Sequence, residues 1–226
     1  MAQLIQKRTE YINSVTRRGR LDGWLEELAG SRGRTAAVSP GAAALVMIDL
    51  QLVFCSPQSP AFLPAWPACA DAALGLCDGF LSRGMPVVFA RHVHPAGRDG
   101  GVMGRFFGRL IGEEDPLSAL IADADSRIPP ALLHNKDGFA AFAGGLPRSF
   151  EGVRNVVICG VQTQRCVLAT AIDLHRQGII PMVVADASAA PDERSHLGAL
   201  RVLADGHAHV VTAAEVSAML IGGVLR

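Results

Sequence analysis

Three residues have the types and placements that chemistry needs. Asp49 closes the apolar run Ala44-Leu-Val-Met-Ile-Asp. A carboxylate directly after a buried strand lies at the C-terminal edge of a sheet, where it can serve as a base; a helix or loop cap is the plainer alternative. Lys136, in His134-Asn-Lys-Asp-Gly-Phe, is one of two lysines among 21 basic residues, the other being Lys7. Lysine is a compact point charge whose protonation responds to its surroundings, whereas a guanidinium stays charged and needs more room. A surface lysine is the alternative there. Cys166 follows the apolar run Asn155–Gly160 within Val161-Gln-Thr-Gln-Arg-Cys-Val-Leu-Ala-Thr-Ala. The pattern predicts a strand–turn–helix transition with Thr163 as N-cap and Cys166 in the first helical turn. At that position the helix dipole and free N–H groups favour a thiolate and can bind an oxyanion. Cys55, Cys69, Cys77 and Cys159 read as small core residues.

The elements that must carry these side chains show in the hydropathy pattern. Short apolar runs predict strands at Ala43–Asp49, Pro86–Arg91, Ala131–His134, Asn155–Gly160, Ile179–Asp186 and His209–Thr212. Amphipathic segments predict helices at Trp66–Arg83, Gln164–Gln177, Asp192–Ala204 and Ala213–Leu220. Strands apolar on both faces and separated by helices imply βαβ units, hence a three-layer α/β/α domain with a mostly parallel six-stranded sheet. The interval 92–130 breaks this rhythm with His92, His94, five glycines between 97 and 108, and Arg105-Phe106-Phe107. Long loops at strand ends are where ligands bind, so substrate contacts are expected from it.

Residues 1–40 stand apart from the domain at 41–226. They carry seven bases and four acids, with helical pieces expected at Leu4–Val15 and Leu21–Ala29. They read as a solvated basic arm or as a surface packed on a neighbouring subunit. Acids and bases balance at 21 each, half the residues are hydrophobic and 19% are charged, which argues against general disorder, nucleic-acid binding and membrane attachment. The apolar runs are strand-sized, short of the roughly 18–20 residues of a spanning helix. Met1–Gly23 has no apolar leader core, so reduced thiols and a cytoplasmic location are expected.

The chain resembles the isochorismatase-like cysteine hydrolases, among them nicotinamidases, N-carbamoylsarcosine amidases and ureidoacrylate or biuret amidohydrolases. The matching pieces are Val46-Met-Ile-Asp-Leu-Gln-Leu-Val-Phe, Lys136 with Phe139 and Phe142, and Cys159-Gly-Val-Gln-Thr-Gln-Arg-Cys-Val. Thr170-Ala, Val183-Val-Ala-Asp-Ala and His196 follow in the family's order. The resemblance runs from about residue 42 to the end.

It implies that Cys166 is the nucleophile, Asp49 its base and Lys136 the cation beside both. It implies a cis peptide at Val161–Gln162, with the N–H groups of Gln162 and Cys166 as the oxyanion hole. Small-molecule amides or ureido compounds are the implied substrates, homodimers or homotetramers the implied assemblies, and no cofactor is expected. Nicotinamidases of the family hold a divalent ion with an Asp-x-His pair and a later histidine. Here His92 stands at the aspartate position, His94 follows, and the next histidine is His134. A metal, and with it nicotinamidase activity, is therefore not expected. Val53 replaces an acid that many members have just before the phenylalanine matched by Phe54. Arg91, Arg105 and Arg165 are candidate anion binders, and Phe54, Phe106 and Phe142 candidate pocket walls. Two other readings fit the resemblance: vinyl ether cleavage without covalent attack, which does not need Cys166, and a non-catalytic assembly subunit, which does not need the intact trio.

Overall fold

A computed structural model of the chain describes residues 7–32, 38, 40–97, 99–128 and 132–222. Six strands form one sheet: β1 (Ala43–Ile48), β2 (Val87–His92), β3 (Leu133–Lys136), β4 (Asn155–Val161), β5 (Ile180–Ala189) and β6 (His209–Val211). Their order is β3-β2-β1-β4-β5-β6, and every neighbouring pair is parallel. The six expected strands are all present. β1 and β4 are buried along their whole length, as central strands covered on both faces must be.

Helices α3 (Trp66–Leu81) and α8 (Ala213–Leu220) cover one face; there Cys69, Leu76, Phe80 and Met219 pack on Leu45, Met47, Phe89 and Val157. Helices α6 (Leu168–Arg176) and α7 (Glu193–Ala204) cover the other, where Leu174, Leu200 and Leu203 meet Val46, Ile48 and Ile158. The result is the expected three-layer α/β/α arrangement. From β1 the chain winds outward to β2 and β3, then returns to the far side of β1 with β4. The winding thus reverses between β1 and β4, and in open parallel sheets the crevice beyond such a reversal is where ligands bind. Asp49 directly follows β1, and Cys166 lies in the turn after β4.

The N-terminal arm departs from expectation. Residues 7–15 form no helix, and one longer helix, α1 (Arg17–Arg32), replaces the expected Leu21–Ala29 piece. Leu4 to Gln6 and 33–37 lie outside the described residues. The arm also packs on its own domain: Tyr11, Ile12, Trp24 and Leu28 are buried. The Thr9 N–H donates to the Pro191 carbonyl at 2.8 Å and the Ala190 N–H to the Tyr11 hydroxyl at 3.0 Å. Arg17 pairs with Asp186 at 3.1 Å, and the Trp24 indole N–H donates to Glu193 at 3.0 Å.

Candidate active site

Asp49 sits in the left-handed region at φ 52°, fully buried. Few residues other than glycine accept that conformation, and aspartate is among them. The turn is held by its N–H on the Ala90 carbonyl (2.9 Å) and by the Gln51 N–H on its own carbonyl (2.7 Å). Gly160, opposite Ile48 in the β1–β4 register, makes the close strand approach possible. Its φ is 116°, and a Cβ there would lie 2.2 Å from the Ile48 carbonyl oxygen.

Lys136 closes β3, two strands away from β1, and its long side chain returns across the end of β2. Its Nζ donates to Asp49 Oδ2 at 2.9 Å, to the Gly138 carbonyl at 3.1 Å and to Cys166 Sγ at 3.4 Å. Burial alone would lower the ammonium's pKa, but Asp49 and Cys166 outweigh it and the net shift is upward. The lysine stays charged. Asp49 Oδ1 is buried without a hydrogen-bond partner.

Cys166 is 7% exposed. Burial first, and then the Asp49 carboxylate, push its thiol well above the ordinary value, and Lys136 only partly offsets them. Burial and the Asp49 carboxylate thus favour the thiol, against the helix-start argument for a thiolate. The local backbone differs too. Thr163–Val167 is a π-helical turn, Gln162 occupies the cap position without a side-chain cap, and α6 begins only at Leu168. Thr163 does not cap because its hydroxyl meets His196 Nδ1 at 2.9 Å instead. The Val161–Gln162 peptide is cis.

Sequence reasoning passed over several supports of this site. The buried Gln51 amide accepts from the His92 N–H (2.8 Å) and donates to the carbonyls of His92 (3.0 Å) and Ser118 (2.8 Å), fixing the end of β2. Thr170 accepts from the Ala141 N–H at 3.0 Å and so ties the loop after Lys136 to α6. Gln51 and Thr170 both stand in the matching motifs, but nothing in their types announces these roles.

His92 Nδ1 lies 3.4 Å from Lys136 Nζ, and its Nε2 lies 2.9 Å from His94 Nε2. Burial first and Lys136 second lower His92 to about 4, and burial lowers His94. This pair does not fit a divalent ion: the nitrogens face each other and an ammonium, and no group of three ligating side chains exists among the described residues. His94 also lines a cavity of about 570 Å³ with Pro95, Gly97, Asp99, Gly100, Gly101 and Asp137. The trio does not line it.

The expected substrate contacts divide. The guanidinium of Arg165, next to Cys166, stacks 5.0 Å above the Phe107 ring, and Phe107 meets Phe139 edge-on at 6.2 Å. Phe107, in α4 (Gly101–Phe107), rather than Phe106, is thus the aromatic beside the Cys166 turn; Phe106 is 77% exposed and Arg105 is exposed. Arg91 is engaged by Asn135 (2.9 Å) and Glu113 (3.1 Å). Phe142 is buried between His134 and Phe150, and Phe54 packs against the core.

A family model for the isochorismatase domain matches residues 43–215. The chain belongs to the isochorismatase family. Within that family it is 29% identical over 185 residues to nicotinamidase 3 of Arabidopsis thaliana, covering 80% of this chain and 89% of that one. It is 30% identical over 147 residues to maleamate amidohydrolase of Pseudomonas putida, covering 62% and 69%. A cysteine hydrolase from Pseudomonas syringae pv. phaseolicola superimposes with a TM-score of 0.74 at 21% identity, over 83% of this chain and 96% of the other, which shows the shared fold. The family match ends short of the N-terminal arm. No helix among the described residues is long and apolar enough to cross a membrane.

Proposed function

We propose that this chain is a cysteine-dependent amidohydrolase that cleaves the C–N bond of a small amide, carbamoyl or ureido compound through a thioester. Its membership in the family and its amidase relatives make it a hydrolase of carbon–nitrogen bonds; the thioester route rests on one observation. Lys136 Nζ bridges Asp49 Oδ2 at 2.9 Å and Cys166 Sγ at 3.4 Å, and all three residues are buried.

Resting charge is balanced there: one carboxylate, one ammonium, one neutral thiol. As Sγ attacks the carbonyl carbon, its proton passes to Asp49, whose Oδ1 has no other partner, and Lys136 stabilises the sulfur as charge builds on it. The carbonyl oxygen becomes an oxyanion received by the N–H groups of Gln162 and Cys166. Collapse breaks the C–N bond, and Asp49 returns the proton to the departing nitrogen. Water then attacks the thioester, giving Asp49 a proton; the C–S bond breaks and Asp49 reprotonates the sulfur. The products are the acid, or a carbamate-derived product, and an amine or ammonia.

A panel of amides and ureido compounds, followed by ammonia release and by intact mass, tests this reading. An acyl adduct on Cys166 during turnover, and no turnover by Cys166→Ala, are the expected results. Turnover retained by Cys166→Ala overturns covalent attack.

A further inference from the structure

The family match begins at residue 43, yet the arm ahead of it reaches the turn that holds Cys166. The link is His196 on α7, which is fully buried. The Trp24 ring lies 4.7 Å from the His196 ring, the Tyr11 ring lies 5.7 Å from it, and the two aromatics meet each other at 6.0 Å. Both arm residues are themselves pinned. The Trp24 indole N–H donates to Glu193 at 3.0 Å, and the Tyr11 hydroxyl accepts from the Ala190 N–H at 3.0 Å. Arg20, also from the arm, donates to both Glu193 carboxylate oxygens at 3.0 and 2.9 Å. So held, the imidazole sets its Nδ1 2.9 Å from the Thr163 hydroxyl.

Where that hydroxyl goes matters to the N–H of Cys166. The side chain of an N-cap residue accepts from the second or third N–H of the helix it starts. With Thr163 as cap, those are the N–H groups of Arg165 and Cys166. A regular α-helical turn would instead direct the Cys166 N–H to the carbonyl four residues back, that of Gln162. Neither bond is formed. The hydroxyl is turned to His196, and the Gln162 carbonyl accepts from Arg165 at 3.0 Å and Val167 at 3.2 Å, on either side of Cys166. The Val167 bond spans five residues, the mark of the π-helical turn, and such turns recur at functional sites.

We infer that His196, clamped by Tyr11 and Trp24 of the arm, is a positioning residue that keeps the Thr163 hydroxyl off the Cys166 N–H and so leaves that N–H to receive the oxyanion. The arm then serves the site at one remove, through a histidine that touches no reacting atom. The inference rests on the amidohydrolase reading for the oxyanion's role, and the donor can be probed without turnover.

Linear aldehydes of two to six carbons and benzaldehyde are the probes. The Cys166 thiol adds to the aldehyde carbon: a C–S bond forms, and the thiol proton ends on the former carbonyl oxygen, which faces the oxyanion donors. Adduct affinity is read on the full chain as the aldehyde concentration that halves Cys166 alkylation by iodoacetamide, followed by intact mass. Alkylation builds no charge on an oxygen, so its rate without aldehyde reports the trio alone. In His196→Leu, affinity for the best aldehyde and kcat for ammonia release both fall about 10²-fold, while KM and plain alkylation stay within about threefold. Trp24→Leu, which loosens the clamp, loses about tenfold in affinity. His196→Gln keeps a polar partner for Thr163 and loses at most about threefold. Adding Thr163→Val to His196→Leu removes the freed hydroxyl and recovers about tenfold, a gain that lost packing cannot give.

Circular dichroism verifies folding; if His196→Leu does not fold, His196→Asn, whose shorter side chain withdraws from Thr163, replaces it. Unchanged aldehyde affinity without His196, or no recovery in the double variant, overturns the inference. So does a native Cys166 that none of the aldehydes protects. Unchanged affinity in Trp24→Leu overturns the arm's part. Aldehyde binding that depends on His196, without ammonia release from any amide, leaves the positioning standing and sinks the amidohydrolase reading. Ammonia release at the native rate by His196→Leu does the reverse.

Discussion

At the scale of single residues, the proposed mechanism needs the trio to act as a proton-balanced unit, and its charged members pull the thiol in opposite directions. Asp49 raises the Cys166 pKa and Lys136 lowers it, with burial outweighing both. Replacing Asp49 by asparagine removes the raising charge and leaves the lysine, so the thiolate fraction increases while the proton acceptor is lost. Asp49→Asn should therefore be alkylated by iodoacetamide faster than the native protein at pH 8, yet turn over about 10²–10⁴-fold more slowly. Slower alkylation, read by intact mass, would show that Asp49 does not act on the thiol. Lys136→Met should do the opposite to alkylation, slowing it at least tenfold by about the same logic. These three residues could be singled out in the sequence because each follows an apolar run, lysine is scarce in this chain, and the family resemblance orders them as a set. The thiol's resting state was not legible, since it depends on burial and on a carboxylate 117 positions away in the chain. Nor was the choice of Phe107 over Phe106: adjacent helical residues look alike until one of them meets Arg165.

At the scale of elements, the site depends on how closely β4 approaches β1. A methyl group on Gly160 would collide with the backbone of Ile48, the residue before Asp49, and glycine alone accepts φ 116° without strain. Gly160→Ala should lower the unfolding free energy by at least about 2 kcal/mol and should also reduce kcat, because β1 can relieve the clash only by moving Asp49. Gly178→Ala is the control: its φ is 78°, but no atom lies within 4 Å of its Cβ, so it should cost about 1 kcal/mol and leave kcat alone. Urea unfolding and steady-state kinetics on the two variants decide the matter; equal kcat losses would show that the collision does not reach the site. The central strands β1 and β4 could be read from the sequence, because a strand buried on both faces is an unbroken apolar run; β3, Leu-His-Asn-Lys at the sheet edge, is only partly buried and lies two residues beyond its expected span. The turn after β4 could not. Thr163 has the chemistry of a helix cap, and only the presence of His196, 33 residues later, diverts its hydroxyl and opens the turn into a π-helical one.

At the scale of the whole molecule, the arm completes a seal around that same histidine. The rings of Trp24 and Tyr11 lie 4.7 and 5.7 Å from His196, which is buried and held to about 3 by desolvation. The Tyr11 half of this seal was not legible, because residues 7–13 lie outside any helix or strand and so have no period to betray a buried face. The seal's consequence is a pH dependence of stability with a definite sign. In the unfolded chain a histidine takes up a proton near 6.5, while folded His196 refuses it down to about 3. Between those limits the unfolded state binds more protons, so stability is full above 6.5 and is lost as the pH falls. The loss for one such histidine is about 2 kcal/mol at pH 5. His92, held to about 4, contributes with the same sign over a narrower window. His196→Gln keeps a polar partner for Thr163 but cannot titrate, so it isolates the His196 share. Urea midpoints measured from pH 8 to pH 4.5 should fall more steeply in the native protein than in His196→Gln, with the gap in stability loss reaching about 2 kcal/mol near pH 5. Parallel slopes would mean that water reaches His196 through the arm, and that Tyr11 and Trp24 do not seal it.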